Sequence, residues 1–184
     1  VEEVVAKAVE LYGSIDVVVN NGQAIVPSAA VEDTTYENML AAWQSGTIGS
    51  LNYMQAAFPY MKAQNEGRII NFASATGMFG IAGQLSYASN KEALRGLTKV
   101  AAKEWGQYGI CVNVVLPGAE SPAAKAWAQK FPEEYHKQVM LNPMHRFGDP
   151  EVDIAPVIAF LAGPDSCYYS GQSVIVDGAN SIAP

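Results

Sequence analysis

A parallel sheet doubly wound with helices, in a single domain spanning residues 1–184, is the fold this sequence predicts, and three observations predict it. Short runs rich in β-branched residues alternate with longer stretches whose apolar residues fall at helical spacing, the order that gives a parallel α/β sheet with right-handed crossovers. The strand-like runs are apolar almost throughout rather than at every second position, as strands covered on both faces must be. Apolar residues make up 49 % of the chain and charged residues 16 %, which suits a folded domain with a sizeable core.

The elements follow in order. Val4, Val5, Ala8 and Leu11 recur at helical spacing over residues 2–12, and Gly13 is a suitable stop. Ile15-Asp16-Val17-Val18-Val19-Asn20 reads as the first strand. Thr34-Thr35-Tyr36-Glu37 has capping-box spacing and predicts one long helix to about Lys62. Residues 67–73 form a second strand, followed by a loop containing Gly77, Gly80 and Gly83. A helix over Ser86 to Tyr108 carries Leu94, Leu97, Ala101 and Trp105 on one stripe. Ile110 to Val115 is a third strand, ending at Pro117-Gly118. Residues 119–148 read as irregular, with short helical pieces such as Ala123–Lys130. Asp149-Pro150 supplies an N-cap with proline at the first helical position, opening a helix to about Leu161, and Ser173 to Asp177 is the last strand.

Several functions are disfavoured. With a net charge of −7 and eleven scattered Lys and Arg residues, no nucleic-acid partner is expected. No apolar run approaches the roughly 18 residues of a membrane span, and the acidic start, Val1-Glu2-Glu3, is unlike a signal peptide. Cys111 and Cys167 match no metal or redox spacing and read as two small buried residues, consistent with a reducing cytoplasm. His136 and His145 have no acidic or cysteine partner at ligand spacing, so no metal site is expected.

Ligands of open parallel sheets sit beyond the carboxyl ends of the strands. That rule selects Asn20 to Gln23, Ser74 to Gly77, Pro117 to Ser121 and the segment after Asp177. One further pattern meets this set. Tyr87 and Lys91, at i and i+4, share a helix face. A phenol with an ordinary pKa near 10 is a poor base at neutral pH, and a fixed ammonium close by favours its phenolate. So tuned, Tyr87 can pass a proton to or from an alcohol or carbonyl oxygen, and a serine hydroxyl facing it, such as Ser74, can hold that oxygen.

In this order the segments resemble the classical short-chain dehydrogenase/reductase family. Asp16 to Gly22 is similar to its fourth strand and Asn-Asn-Ala-Gly turn, Gly67 to Ser74 to the strand bearing its serine, Tyr87-Ala88-Ser89-Asn90-Lys91 to its tyrosine–lysine motif, and Asn113 to Gly118 to its Pro-Gly turn. The closing helix and strand, Ile154 to Leu161 and Ser170 to Gly178, fit as well. The resemblance implies a Rossmann-like sheet equivalent to the family's fourth to seventh strands, without the N-terminal Gly-rich cofactor-binding segment. It implies a cytoplasmic oxidoreductase that interconverts a secondary alcohol and a ketone, with NAD or NADP as cofactor. Ser74, Tyr87 and Lys91 would be catalytic, and Asn21, Gly22, Tyr87, Lys91, Pro117 and Gly118 would contact the cofactor. Lysine at 91, where related halohydrin dehalogenases carry arginine, implies redox chemistry. A dimer or tetramer through the two long helices is implied too, their Ala41-Ala42, Ala56-Ala57 and Ala101-Ala102 pairs suiting close packing.

Three departures stand against this pattern. No T-G-x-x-x-G-x-G turn for the pyrophosphate precedes the first strand, so binding by this chain alone is doubtful and a non-catalytic binding module is the alternative. The helix asparagine that helps hold a relay water in the family falls on Gly46. The turn Asn20-Asn21-Gly22-Gln23 replaces the usual Ala-Gly, and the cofactor-binding threonine falls on Pro122. Residues 119–148 form the expected substrate lid, where Trp127, Phe131, Tyr135 and Met140 either cover the pocket or pack locally.

Overall fold

The computed structural model describes residues 1–182 and contains one four-stranded parallel sheet in sequence order: β1 (Val17–Asn20), β2 (Gly67–Phe72), β3 (Ile110–Pro117) and β4 (Ser173–Val176). Alternate residues of the central strands serve opposite layers. Ile69 and Val112 pack on Met54, Met61 and Ala101 from the helices α3 (Gly49–Gln64) and α5 (Leu85–Trp105). Ile70 and Val115 pack on the other face against Leu161, Val157 and Ile158 of α8 (Ala155–Ala162). Burying one such aliphatic side chain contributes about 1.5–3 kcal/mol, so this three-layer core is what holds the strand ends in place.

The strand reading is right for β2 and β3, and half right for β1. Val18 packs into the α3 layer, whereas Val17 and Val19 are 38 % and 46 % exposed. An apolar run predicts cover on both faces; β1 has a strand neighbour on one side only, and no described element lies over its second face.

The helix α1 (Glu2–Tyr12) ends as expected at Gly13, whose φ of 83° lies in the left-handed region. The predicted helix from 36 to 62 is instead α2 (Tyr36–Trp43), a π turn (Gln44–Ile48) and then α3. Its cap is shifted by one residue: Thr35, not Thr34, accepts the Asn38 N–H. The break has a local cause, because the Thr47 N–H donates to Asn90 Oδ1 at 2.8 Å and a side chain inserted into the ladder distorts a helix. A short helix α4 (Ala75–Phe79) stands where a loop was predicted. The segment 119–148 is more regular than expected, with α6 (Pro122–Lys130) and α7 (Pro132–Leu141), each opened by proline at its first position. Asp149 caps the following turn by accepting the Glu151 and Val152 N–H groups. Cys111 is buried and Cys167 exposed, both free, which corrects the reading of two buried cysteines.

Candidate active site

A cavity of about 790 Å³ opens at the carboxyl ends of the strands. Asn21 and Gln23 from beyond β1, Phe72, Ala73 and Thr76 at the end of β2, and Pro117, Ala119 and Ser121 beyond β3 line it, together with Tyr87 and Lys91. Three of the four places selected from the strand rule therefore converge. The fourth does not: Asp177 and Gly178 face a separate cavity of about 400 Å³ with Met144, Arg146 and Asp153.

Tyr87 and Lys91 lie on the first turns of α5. The Lys91 stem is buried, its ammonium donates to the Phe72 carbonyl at 2.6 Å, and its Nζ stands 5.5 Å from the centroid of the Tyr87 ring. Loss of hydration on burial lowers the Lys91 pKa to about 8. One unit above neutral still leaves roughly ten ammonium groups for each amine at pH 7, so a positive charge stands beside the Tyr87 ring. A third of its donor capacity is used by Phe72, and two hydrogens are left for a ligand.

Ser74 has a second task that its position in the sequence does not reveal. It is the N-cap of α4, its Oγ accepting the Thr76 N–H at 3.2 Å. That bond uses a lone pair and leaves the hydroxyl hydrogen free to donate. Ser74 itself is not among the residues lining the cavity, although its neighbours Ala73 and Thr76 are.

The cofactor candidates divide. Asn21 and Pro117 line the cavity; Gly22 and Gly118 do not. Gly22 belongs to a neighbouring groove of about 550 Å³ along β1. At Gly118 a Cβ would stand 2.5 Å from Asp177 Cβ, and its amide donates to Val176 O at 2.8 Å. Glycine there is explained by the close approach of the β4 end.

The aromatic residues of 119–148 pack locally. Trp127 meets Tyr135 edge-on at 5.8 Å, and Tyr135 stacks obliquely on Phe147 at 5.5 Å. The Tyr135 hydroxyl donates to Glu120 Oε1 at 2.5 Å, and this bond to a carboxylate pushes its pKa up to about 12. Phe131 and Met140 are exposed, and none of the four lines the cavity. Its outer wall is Pro122, Pro150 and Ile154, with Ile25, Val26 and Ile81 opposite. Ile25, Val26 and Ile81 lie in loops without periodicity, which no sequence pattern assigns to the site. Gln23, at the end of the first selected place, has side-chain amide atoms shielded from solvent without a partner among the described residues.

The chain is similar to known oxidoreductases along nearly its whole length. A family model described as enoyl-(acyl carrier protein) reductase matches residues 1–179. The chain is 41 % identical over 184 residues to a 12alpha-hydroxysteroid dehydrogenase of Clostridium sp., covering all of this chain and 71 % of that one. It is 39 % identical over 180 residues to the 3-oxoacyl-(acyl-carrier-protein) reductase FabG of Thermotoga maritima, covering 97 % and 71 %. Among solved structures, levodione reductase superposes with a TM-score of 0.89 at 30 % identity, over 96 % of this chain and 70 % of that one. ElxO with NADP bound superposes with a TM-score of 0.90 at 28 % identity, over 97 % and 72 %. No helix among the described residues is long and apolar enough to cross a membrane.

Proposed function

This chain belongs to the short-chain dehydrogenase/reductase family, and from that membership we propose that it interconverts a secondary alcohol and a ketone with NAD or NADP, through Ser74, Tyr87 and Lys91. The observation that carries the reading is the cavity shared by Tyr87 and a buried Lys91 at the mouths of three parallel strands. When bound, the nicotinamide would supply or accept the hydride.

The chain's own residues do the rest. Tyr87 gives its phenolic proton to the developing alkoxide during reduction and removes it during oxidation. Lys91, anchored on Phe72 O, keeps a positive charge beside the phenol and would offer its two remaining N–H groups to a cofactor ribose. Ser74 donates to the carbonyl oxygen and so fixes which face of the ketone meets the cofactor. Asn21 and Pro117, which line the cavity, would hold the nicotinamide half. That half fits the residues present, whereas no Gly-rich turn for the pyrophosphate occurs within the 184 residues.

Residues 119–148 act as the substrate lid, with Ala119, Ser121 and Pro122 as the part that reaches the cavity. Walls of Ile25, Val26, Ile81, Ile154 and two prolines favour a largely apolar substrate, in keeping with the relative named for a hydroxysteroid. The protein works as a cytoplasmic homo-oligomer, and Gly22 and Gly118 support the cofactor loops through their backbone alone.

The test is a titration of the protein with NADH and NADPH, followed by fluorescence quenching, and turnover of apolar ketones. Saturable binding of one cofactor and ketone-dependent oxidation are expected. Tyr87→Phe should lower kcat by roughly 100- to 10,000-fold without loss of cofactor binding. No binding of either cofactor by the full-length protein would leave the binding-module reading in its place.

A further inference from the structure

Two residues near the candidate site make sense only as a pair. Gly46 lies in the π turn Gln44–Ile48, and a Cβ added there would stand 2.2 Å from Asn90 Nδ2, 2.5 Å from Asn90 Oδ1 and 2.7 Å from Asn90 Cγ. Position 46 is therefore restricted to glycine while Asn90 keeps its place. Asn90 is not free to move aside. It is fully buried, its Oδ1 accepts the Thr47 N–H at 2.8 Å and faces Thr47 Oγ1 at 2.7 Å, and its main-chain oxygen faces the same hydroxyl at 3.1 Å.

The backbone donor also fixes the orientation of the amide, since the atom facing an N–H has to be the oxygen. Nδ2 is thereby left without a protein acceptor among the described residues. Buried donors are normally paired, so space filling alone would favour a serine or alanine here. What asparagine provides is an acceptor inside the ladder of a neighbouring helix.

That acceptor acts within the catalytic turn. Asn90 precedes Lys91 and follows Tyr87 by three residues, and the adjacent Ser89 Oγ accepts from Trp43 Nε1 at 3.4 Å. On its other side the π turn reaches the cavity wall: Ser45 Oγ accepts the Ala24 N–H at 3.1 Å and donates to Ala41 O at 2.7 Å. A single distorted turn thus joins the Tyr87–Lys91 segment to the loop that follows β1.

We propose that Asn90 is a positioning residue: its amide, seated in the space left by Gly46, holds α5 against the π turn so that Tyr87 and Lys91 face the cavity at working geometry. The glycine that departs from the family pattern and the asparagine inside the tyrosine–lysine motif are one exchange, in which the amide comes from the opposite helix. The inference rests on reading Tyr87 and Lys91 as the proton-transfer pair.

A double-mutant cycle of Gly46→Ala, Asn90→Ala and the two combined, made in the full-length protein, tests it. Misplacement of the pair by about an ångström predicts a loss of roughly 100-fold in kcat for Asn90→Ala. The ketone KM should change by less than about threefold, a split that lowered stability alone does not produce. Gly46→Ala should lower both kcat and the thermal midpoint, because its Cβ displaces the amide. The double variant should be no worse than Asn90→Ala and should melt above Gly46→Ala, a coupling that independent sites do not show. Additive losses, or a kcat for Asn90→Ala within about twofold of the parent, would overturn the proposal. Should the parent fail to turn over with either cofactor, the proposed activity falls, while the melting cycle still decides the exchange: additive midpoints would sink it.

Discussion

The two sides of the sheet are built from the same residue types and end in opposite conditions. On the β2–β3 side, Ile69, Ile70, Val112 and Val115 are covered on both faces by α3, α5 and α8. On the β1 side, Val17 and Val19 face outward, and α1 presents Val4, Leu11 and Tyr12 at 58 %, 60 % and 80 % exposure. A groove of about 550 Å³ runs between them, lined by Val4, Ala8, Val17, Val19 and Tyr53. A valine run specifies a strand, whereas its burial depends on which neighbours pack over it. The difference also sorts the chemistry. The closed side can strip water from an ammonium, and Lys91 is there; the open side contributes only the loop past its end, with Asn21, Gln23, Ile25 and Val26 among its lining residues.

The sharpest way to test that division is to remove the charge that the closed side has desolvated. The folded Lys91 pKa, about 8, lies below its ordinary 10.5, so between those values the unfolded chain binds more protons. Its burial penalty is complete below about pH 8 and fades as the pH rises toward 10.5. Lys91→Met should therefore stabilise the fold at pH 7, by on the order of 1–2 kcal/mol once the lost bond to Phe72 O is set against the relieved desolvation. Turnover should fall by roughly 1,000-fold or more in the same variant. In the parent, kcat/KM should decline as pH rises through about 8, and the residual activity of Lys91→Arg should show no such limb. Denaturant melts and a pH–rate profile check both; a destabilised Lys91→Met would break the comparison.

Ser74 comes next, because it serves fold and chemistry at once. Loss of the α4 cap in Ser74→Ala should cost about 1 kcal/mol, a fall of roughly 2–4 °C in midpoint for a chain of this size. Loss of the hydroxyl donor should reduce kcat by about 100-fold. Ser74→Asp separates the two, since aspartate caps as well as serine and donates nothing when ionised. Recovery of the midpoint without recovery of kcat is expected. Recovery of both would restrict Ser74 to capping.

How much of this was legible in the sequence depends on the range of the force involved. The strands and the catalytic turn were readable because β-branched runs and an i, i+4 spacing are local patterns. The helix α4 was hidden by its length and by Gly77, which permits the close approach of Ala88 O. The π turn was hidden because its cause, Asn90, lies far along the chain. The exposure of Val17 and Val19 could not be read from their own positions either, since a strand carries no mark of whether its second face is covered.

The open side yields the smallest effect and the most direct test of the contrast. An apolar strand edge with uncovered valines invites pairing with a second copy. The 184-residue chain should self-associate through β1 and α1, and Val19→Lys should weaken that association by about tenfold or more, the worth of one aliphatic side chain left out of the contact. Sedimentation across a concentration series reads both. The same substitution should leave the Lys91 environment unchanged, because Val19 points away from the α3 and α5 layer that packs over β2. A parent chain that sediments as a monomer at every concentration would show that the exposed valines are tolerated singly, and that the two sides differ in packing without differing in association.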